Sequence, residues 1–313
     1  MHTSRRSLAV AIAAVLVLVA ILGYVAGHDR SRTLPAEARR STISAAGVLL
    51  AYPSGWQQSA RSAVAVPGLS LTNSVLLAPH GDGADAGLLV GQLAQSEPSL
   101  LPRAFVARMR SLPDTEVVDL VDTQSYKYPT LDIEGFDRML DLYTIPNSKG
   151  NPTVLACYAA KSLSAYMRAC EQSVATLTLA EQSSSYDLVP EPEYARRLSA
   201  SIDALERQRV GARREMGAGA RPRRVQELAT RLAAGFAEEG VSLSLLEPPS
   251  VTGQVQAKLA QATLQARDAY RALAAAAGAE SPPRAAAAQK QVDEAEANVD
   301  AELESFALLG YRS

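Results

Sequence analysis

The sequence is poor in the residues on which most enzymes and metalloproteins depend. It has three histidines and two cysteines among 313 residues, and 31 basic against 33 acidic side chains leave a net charge of −2. It contains no H-x-x-x-H, no C-x-x-C and no other cluster of histidine and cysteine, so we predict no metal site. A charge this close to zero creates no field that would recruit nucleic acid, and we expect no nucleic-acid partner.

Motifs for catalysis are lacking as well. The sequence has no G-x-S-x-G nucleophile elbow, no G-x-x-x-x-G-K-[ST] phosphate loop and no G-x-G-x-x-G turn. A Ser-His-Asp triad would have to use His80, which no strand-turn signature supports. We therefore predict that the protein is not an enzyme and that it has no catalytic residues, no cofactor-binding residues and no cofactor.

The sequence does have one long apolar run, Leu8–Gly27, without a single charge. At about 1.5 Å per residue, a helix of this length covers the roughly 30 Å hydrocarbon core of a bilayer. We predict a single membrane-spanning anchor at residues 8–27 and a polar stalk up to residue 40. The alternative is a cleaved signal peptide, because small residues end the run, although the apolar core of a signal peptide usually has about 7–15 residues.

Two signals disagree about the orientation of this anchor. Arg5 and Arg6 precede the span, but four arginines follow it closely, and charge counting would place the body of the chain in the cytoplasm. The two cysteines favour the opposite side, for the reason given below. We expect a cell-membrane protein with a single pass and with residues 41–313 outside the cytoplasmic membrane.

Residues 41–182 carry apolar runs of strand length between turn signals, which is typical of an α+β domain with an antiparallel sheet. The predicted strands are Val48–Tyr52, Thr72–Ala78, Gly87–Ala94, Val117–Val121, Phe136–Ile145 and Thr153–Ala160. The last two strands should pair as an antiparallel hairpin. Helices are predicted at Ser99–Arg110 and Ser162–Leu179.

Both cysteines point at the predicted core of this domain. Cys157 falls in the middle of a strand, and Cys170 falls on the apolar stripe of the helix that follows. Two unrelated buried thiols are one interpretation, since free cysteine is a common core residue. We favour a disulfide, because an extracytoplasmic domain would oxidise such a pair.

Three segments of the domain form a recognisable set: L-A-Y-P-S-G-W at residues 50–56, L-Y-T-I-P-N at 142–147, and V-L-A-C-Y with A-C-E-Q-S-V-A-T-L near its end. Together they resemble PsbP-like domains, and most of all the secreted actinobacterial group typified by LpqN-type lipoproteins. The resemblance covers residues 42–179. It implies an antiparallel sheet with helices packed across it, forming an α/β sandwich, in a non-catalytic accessory of the cell envelope.

The resemblance also implies roles for particular residues. Tyr52, Pro53, Gly55 and Trp56 would form the opening turn, and the two cysteines would be bridged. A lipoprotein would carry a lipid-accepting cysteine after its apolar segment, whereas Tyr24 stands there in this sequence. Anchoring would therefore depend on the membrane helix itself.

The composition changes in residues 183–313, where strand signals vanish and alanine, glutamine, glutamate and arginine dominate. We predict an all-α region with helices at Glu193–Gln208, Pro222–Glu239, Thr252–Ala277 and Arg284–Leu309. A short turn makes the last two helices an antiparallel hairpin with alanine-rich seams. Either the hairpin packs on the first two helices as a bundle, or residues 252–309 bind a partner protein or a second copy.

Seven arginines lie between Arg207 and Arg224, where only Glu215 opposes them. A basic, glycine-rich connection can contact anionic lipid headgroups or a cell-wall polymer. The candidate residues for this contact are Arg213, Arg214, Arg221, Arg223 and Arg224. The segment has no aromatic residues on which bases could stack, and the other interpretation is a solvated loop.

Three classes of function compete on this evidence. A membrane-anchored scaffold that acts through protein–protein contacts accounts for the anchor, the accessory-type domain and the helical region together, and we favour it. A binding module for a lipid or a cell-wall-derived ligand accounts for the α+β domain but leaves the helices without a role. An enzyme has no constellation of residues behind it.

Overall fold

The computed structural model describes residues 40–59, 64–81, 85–95, 98–147, 150–180, 186–217 and 220–311. The compact unit that contains the main sheet and the helices runs from Thr42 to Ser313. The predicted anchor at residues 8–27 lies outside the described residues. No helix within those ranges has the length and the apolar character needed to cross a membrane.

The described strands form two sheets. In chain order they are β1 (Arg40–Ala45), β2 (Val48–Pro53), β3 (Trp56–Ser59), β4 (Leu71–Pro79), β5 (Ala86–Leu93), β6 (Glu116–Asp119), β7 (Gln124–Tyr128), β8 (Met139–Ile145), β9 (Thr153–Ala159) and β10 (Thr178–Leu179). The large sheet has the order β3-β4-β5-β9-β8-β7-β6 with all neighbours antiparallel. The small sheet has the order β1-β2-β10. The predicted antiparallel pairing of β8 with β9 is confirmed.

The central strands of the large sheet are buried on both faces. Side chains alternate along a strand, so Val154 and Ala156 of β9 enter one hydrophobic core while Leu155 and Cys157 enter the other. Every residue of β9 is buried. This explains why these strands have continuous apolar runs, although many antiparallel sheets expose one face to water.

The helices are α1 (Arg103–Val106), α2 (Ala165–Val174), α3 (Pro192–Glu215), α4 (Pro222–Ser244), α5 (Gly253–Gly278) and α6 (Pro282–Leu308). The helix predicted at Ser99–Arg110 is wrong, because only one turn of it forms. Pro102 disfavours a helical conformation at the residue before it, and Leu100 has a positive φ of 60°. Met109 then leaves the helix to bridge with Ile133.

One face of the large sheet is covered by α2 and the small sheet. Cys157 of β9 and Cys170 of α2 form the predicted disulfide, with 5.8 Å between their Cα atoms. Both residues are buried in the core that Trp56 and Val48 also enter. The bond therefore fixes α2 to the middle of the sheet.

The other face shares its core with the helical region. Buried residues of β4, β5, β8 and β9 belong to the same hydrophobic cluster as those of α3, α4, α5 and α6. At the junction, Arg103 donates to the buried carboxylate of Glu302 at 2.8 Å. The amide of Leu188 donates to Gln124 at 2.8 Å. One hydrophobic core thus extends across residues 41–182 and 183–313. The division of the chain into two domains at this point remains a prediction.

The alanine-rich seam of the hairpin faces the inside of the chain. Helix α5 packs against both α4 and α6, and Leu259, Tyr270 and Val299 are all buried. The contact with α4 is close, because a Cβ on Gly240 would lie 3.0 Å from the hydroxyl of Thr263. Of the two predicted arrangements, the structure thus has the bundle, in which the hairpin packs on the preceding helices. A partner for residues 252–309 remains a prediction and would have to use their exposed faces.

Loss of the disulfide should destabilise the fold. For Cys170→Ser we expect the free energy of unfolding to fall by about 2–5 kcal/mol, because the bond closes a short loop in the unfolded chain. Denaturant unfolding would measure this loss. The double variant Cys157→Ser/Cys170→Ser is the control, and it should cost a similar amount. Two alkylated cysteines in native protein under non-reducing conditions would contradict the bond.

The shared core predicts that sheet and helices unfold together. Val299→Asp places a charge at a fully buried position of α6 and should cost about 4 kcal/mol or more. The fluorescence of Trp56 would report on the sheet and circular dichroism on the helices, and both midpoints should fall together. The exposed neighbour Asn298 supplies the matched control, since Asn298→Asp should change little. A loss of helix with the Trp56 midpoint unchanged would contradict the coupling.

Candidate functional site

The arginine-rich segment is mostly helical rather than a connection. Helix α3 continues to Glu215 and α4 begins at Pro222, so the predicted helix end at Gln208 is wrong. The helix continues because its buried stripe does: Arg209 and Ala212 follow Leu205 at helical spacing. The buried stripe is occupied at this point by a charged residue, Arg209. A prediction from apolar spacing therefore ended the helix too early.

Arg209 is the largest of the fully buried side chains in the described part of the chain, with 1 % of its surface exposed. Its guanidinium donates to Asp300 at 2.7 Å and also bonds to Glu206. Its Nε lies 3.5 Å from the Oε1 atom of Glu296, which is an ion-pair distance but forms no hydrogen bond. A buried cation is costly without partners, and these carboxylates supply them from α3 and α6.

Glu296 of α6 is the second buried charge of this network. Its side chain is 7 % exposed, and it accepts hydrogen bonds from the Tyr270 hydroxyl at 2.6 Å and from Arg213. Burial raises the pKa of Tyr270 above its usual range, which the neighbouring arginines partly oppose. Tyr270 therefore remains a neutral hydrogen-bond donor at physiological pH. The network joins α3, α5 and α6.

A cavity of about 370 Å³ opens beside this network. It is lined by residues of α5 and α6 and of the end of α3: Arg213, Met216, Tyr270, Gln289, Val292, Asp293, Glu296, Ala297 and Asp300. All six polar residues of this lining already bond to each other or to Arg209. No group of three or more metal-ligating side chains occurs within the described ranges. We assign the network the role of fixing α3 to the hairpin.

The structure places the five predicted anion contacts in different surroundings. Arg213 is bonded to Glu296, and Arg224 is bonded to both Glu215 and Glu227. Arg223 lies 3.8 Å from a Glu227 oxygen but is largely exposed. The other two, Arg214 and Arg221, are exposed and form no ion pair with the described residues. Carboxylates thus already neutralise part of the predicted surface, and its contact with an anion remains a prediction.

Comparison with known proteins finds a similar solved structure. The solution structure of cyanobacterial PsbP (CyanoP) from Synechocystis sp. PCC 6803 is 14% identical, with a TM-score of 0.30. The matched region covers 47% of this chain and 95% of that protein. No family model matches the chain, and no curated protein matches it either. The functional argument therefore depends on this chain's own residues.

Loss of Arg209 should weaken the attachment of α3. For Arg209→Met we expect the free energy of unfolding to fall by roughly 3 kcal/mol, the lower part of the range for breaking a buried ion pair, since Glu296 keeps two other partners. Denaturant unfolding would measure the effect. The matched control is Arg196→Met, which removes an exposed ion pair from the same helix and should change little. Equal effects of the two variants would contradict the structural role of the network.

Proposed function

We propose that this protein is a non-catalytic accessory of the bacterial cell envelope, held at the membrane by residues 8–27 and acting through protein–protein contacts. The observation that carries the proposal is the hydrophobic core that one face of the large sheet shares with the helices. A scaffold has to hold its contact surfaces in fixed positions relative to each other. The ion pair of Arg103 with the buried Glu302 serves this requirement, because it joins the α+β region to α6.

The disulfide supports an extracytoplasmic location for the folded unit. Structural disulfides persist in oxidising compartments and are rare in the cytosol. Cys157 and Cys170 are both buried, so their bond is a structural one. The finer part of the proposal is that the domain at residues 42–179 is of the PsbP-like, LpqN-type kind, which the segments quoted from the sequence support.

The second candidate is a binding module for a lipid or a cell-wall-derived ligand. The cavity beside Arg209 and Glu296 favours it, because its volume lies in the lower part of the range of small-molecule sites. All six of its polar lining residues are already hydrogen-bonded within the protein. We therefore rank this candidate second.

Two measurements test the proposal. Protease added to intact spheroplasts should digest residues 41–313 while it spares a cytoplasmic control protein, and full protection would overturn the location. A photo-crosslinking residue is then placed at exposed positions of α4 and α6, among them Val241 and Glu294, and elsewhere on the surface. A scaffold should give adducts of one mass at neighbouring positions only. Uniform adducts, or none anywhere, would contradict a specific partner.

A further inference from the structure

A second crevice lies on the other side of α3, between α3 and α4, with a volume of about 390 Å³. Its walls carry Arg207 from α3 and Arg231 from α4, and both side chains are exposed. The contact beside it is close, because a Cβ on Gly235 would collide with the side chain of Gln208. The crevice remains open next to this contact because Gly211 and Ala212 line it with little bulk.

Arg209 and Arg213 of α3 are bonded to carboxylates, whereas Arg207 and Arg231 lack such partners among the described residues. Neither guanidinium forms an ion pair with any residue that the structure describes. Glu215 also lines the crevice, but its carboxylate is bonded to Arg224. Glu239 lies close enough for the charge of Arg207 to act on it, but burial raises the pKa of that carboxyl, and the two form no ion pair.

Arg207 and Arg231 carry like charges on facing helices, and the carboxylate that shares their crevice is bonded to Arg224, so a bound anion would offset their repulsion. We propose that the crevice between α3 and α4 binds a phosphate group through Arg207 and Arg231. A phosphate offers three acceptor oxygens in a tetrahedral arrangement, so it can accept hydrogen bonds from arginines on both walls, and arginine binds phosphate in a bidentate manner. The proposed anion site lies between α3 and α4, whereas the sequence predicted the anion contact in the connection between these helices.

This site does not depend on the scaffold role, because it needs no protein partner. A phosphate group occurs in lipid headgroups and in soluble phosphates, and the chemistry of the crevice suits both. The test therefore has to separate the two sources. It uses the full chain in micelles of a zwitterionic detergent that contains no phosphate, with inorganic phosphate as the probe.

The measurement follows the arginine side-chain Nε signals by NMR during a phosphate titration. The signals of Arg207 and Arg231 should shift together and saturate. Arg207→Gln and Arg231→Gln should each raise the half-saturating concentration at least about tenfold, since each removes one wall of the site. The matched control is Arg197→Gln, which removes an exposed arginine from α3 outside the crevice and should leave the titration unchanged.

The outcomes decide the proposal. If the titration is repeated in micelles that contain phosphatidylglycerol and the signals are already shifted, a lipid headgroup is the source; if they still respond to phosphate, a soluble phosphate is. Titration curves that are the same for Arg207→Gln and Arg197→Gln would overturn the site in favour of general charge attraction. Absence of any saturating shift at Arg207 and Arg231 would overturn it as well. Circular dichroism of each variant checks that α3 and α4 remain folded.

Discussion

The large sheet has to be covered on both faces, and the rest of the structure depends on this requirement. Strand β9 is buried along its whole length, so an uncovered face would expose a wide apolar surface to water. One face is closed by α2 and the small sheet, and the disulfide holds that cover in place. The other face is closed with the helical region, and for this reason the helices belong to the same compact unit.

Much of the sheet could be predicted from the sequence, because its central strands are short apolar runs bounded by turn residues. The hairpin of β8 and β9 is of this kind, and so are β4 and β5. Strands such as β3 and β7 were not predicted, since Gln57, Gln58 and Lys127 interrupt their apolar pattern. The turn at Ser54 and Gly55 lies where the resemblance implied it, between β2 and β3.

The candidate site could not be predicted in the same way, because its contacts join residues that are far apart in the chain. Arg209 lies in α3, whereas its partners Glu296 and Asp300 lie in α6, about ninety residues further along the chain. In the sequence Arg209 is one of seven arginines, and its spacing from Leu205 is the one signal that separates it from the others. That signal identifies a helix face but not the carboxylates that face it.

The arrangement of arginines on α3 explains why their number in the sequence is a poor guide to the protein's surface charge. At 3.6 residues per turn, Arg207 and Arg209 point about 160° apart, whereas Arg209 and Arg213 lie on nearly the same side. The side with Arg209 meets the carboxylates of α6, so its charges are compensated inside the protein. The side with Arg207 meets α4, which presents Arg231 across the crevice. A single helix therefore separates arginines that stabilise the fold from arginines that remain free to bind an anion.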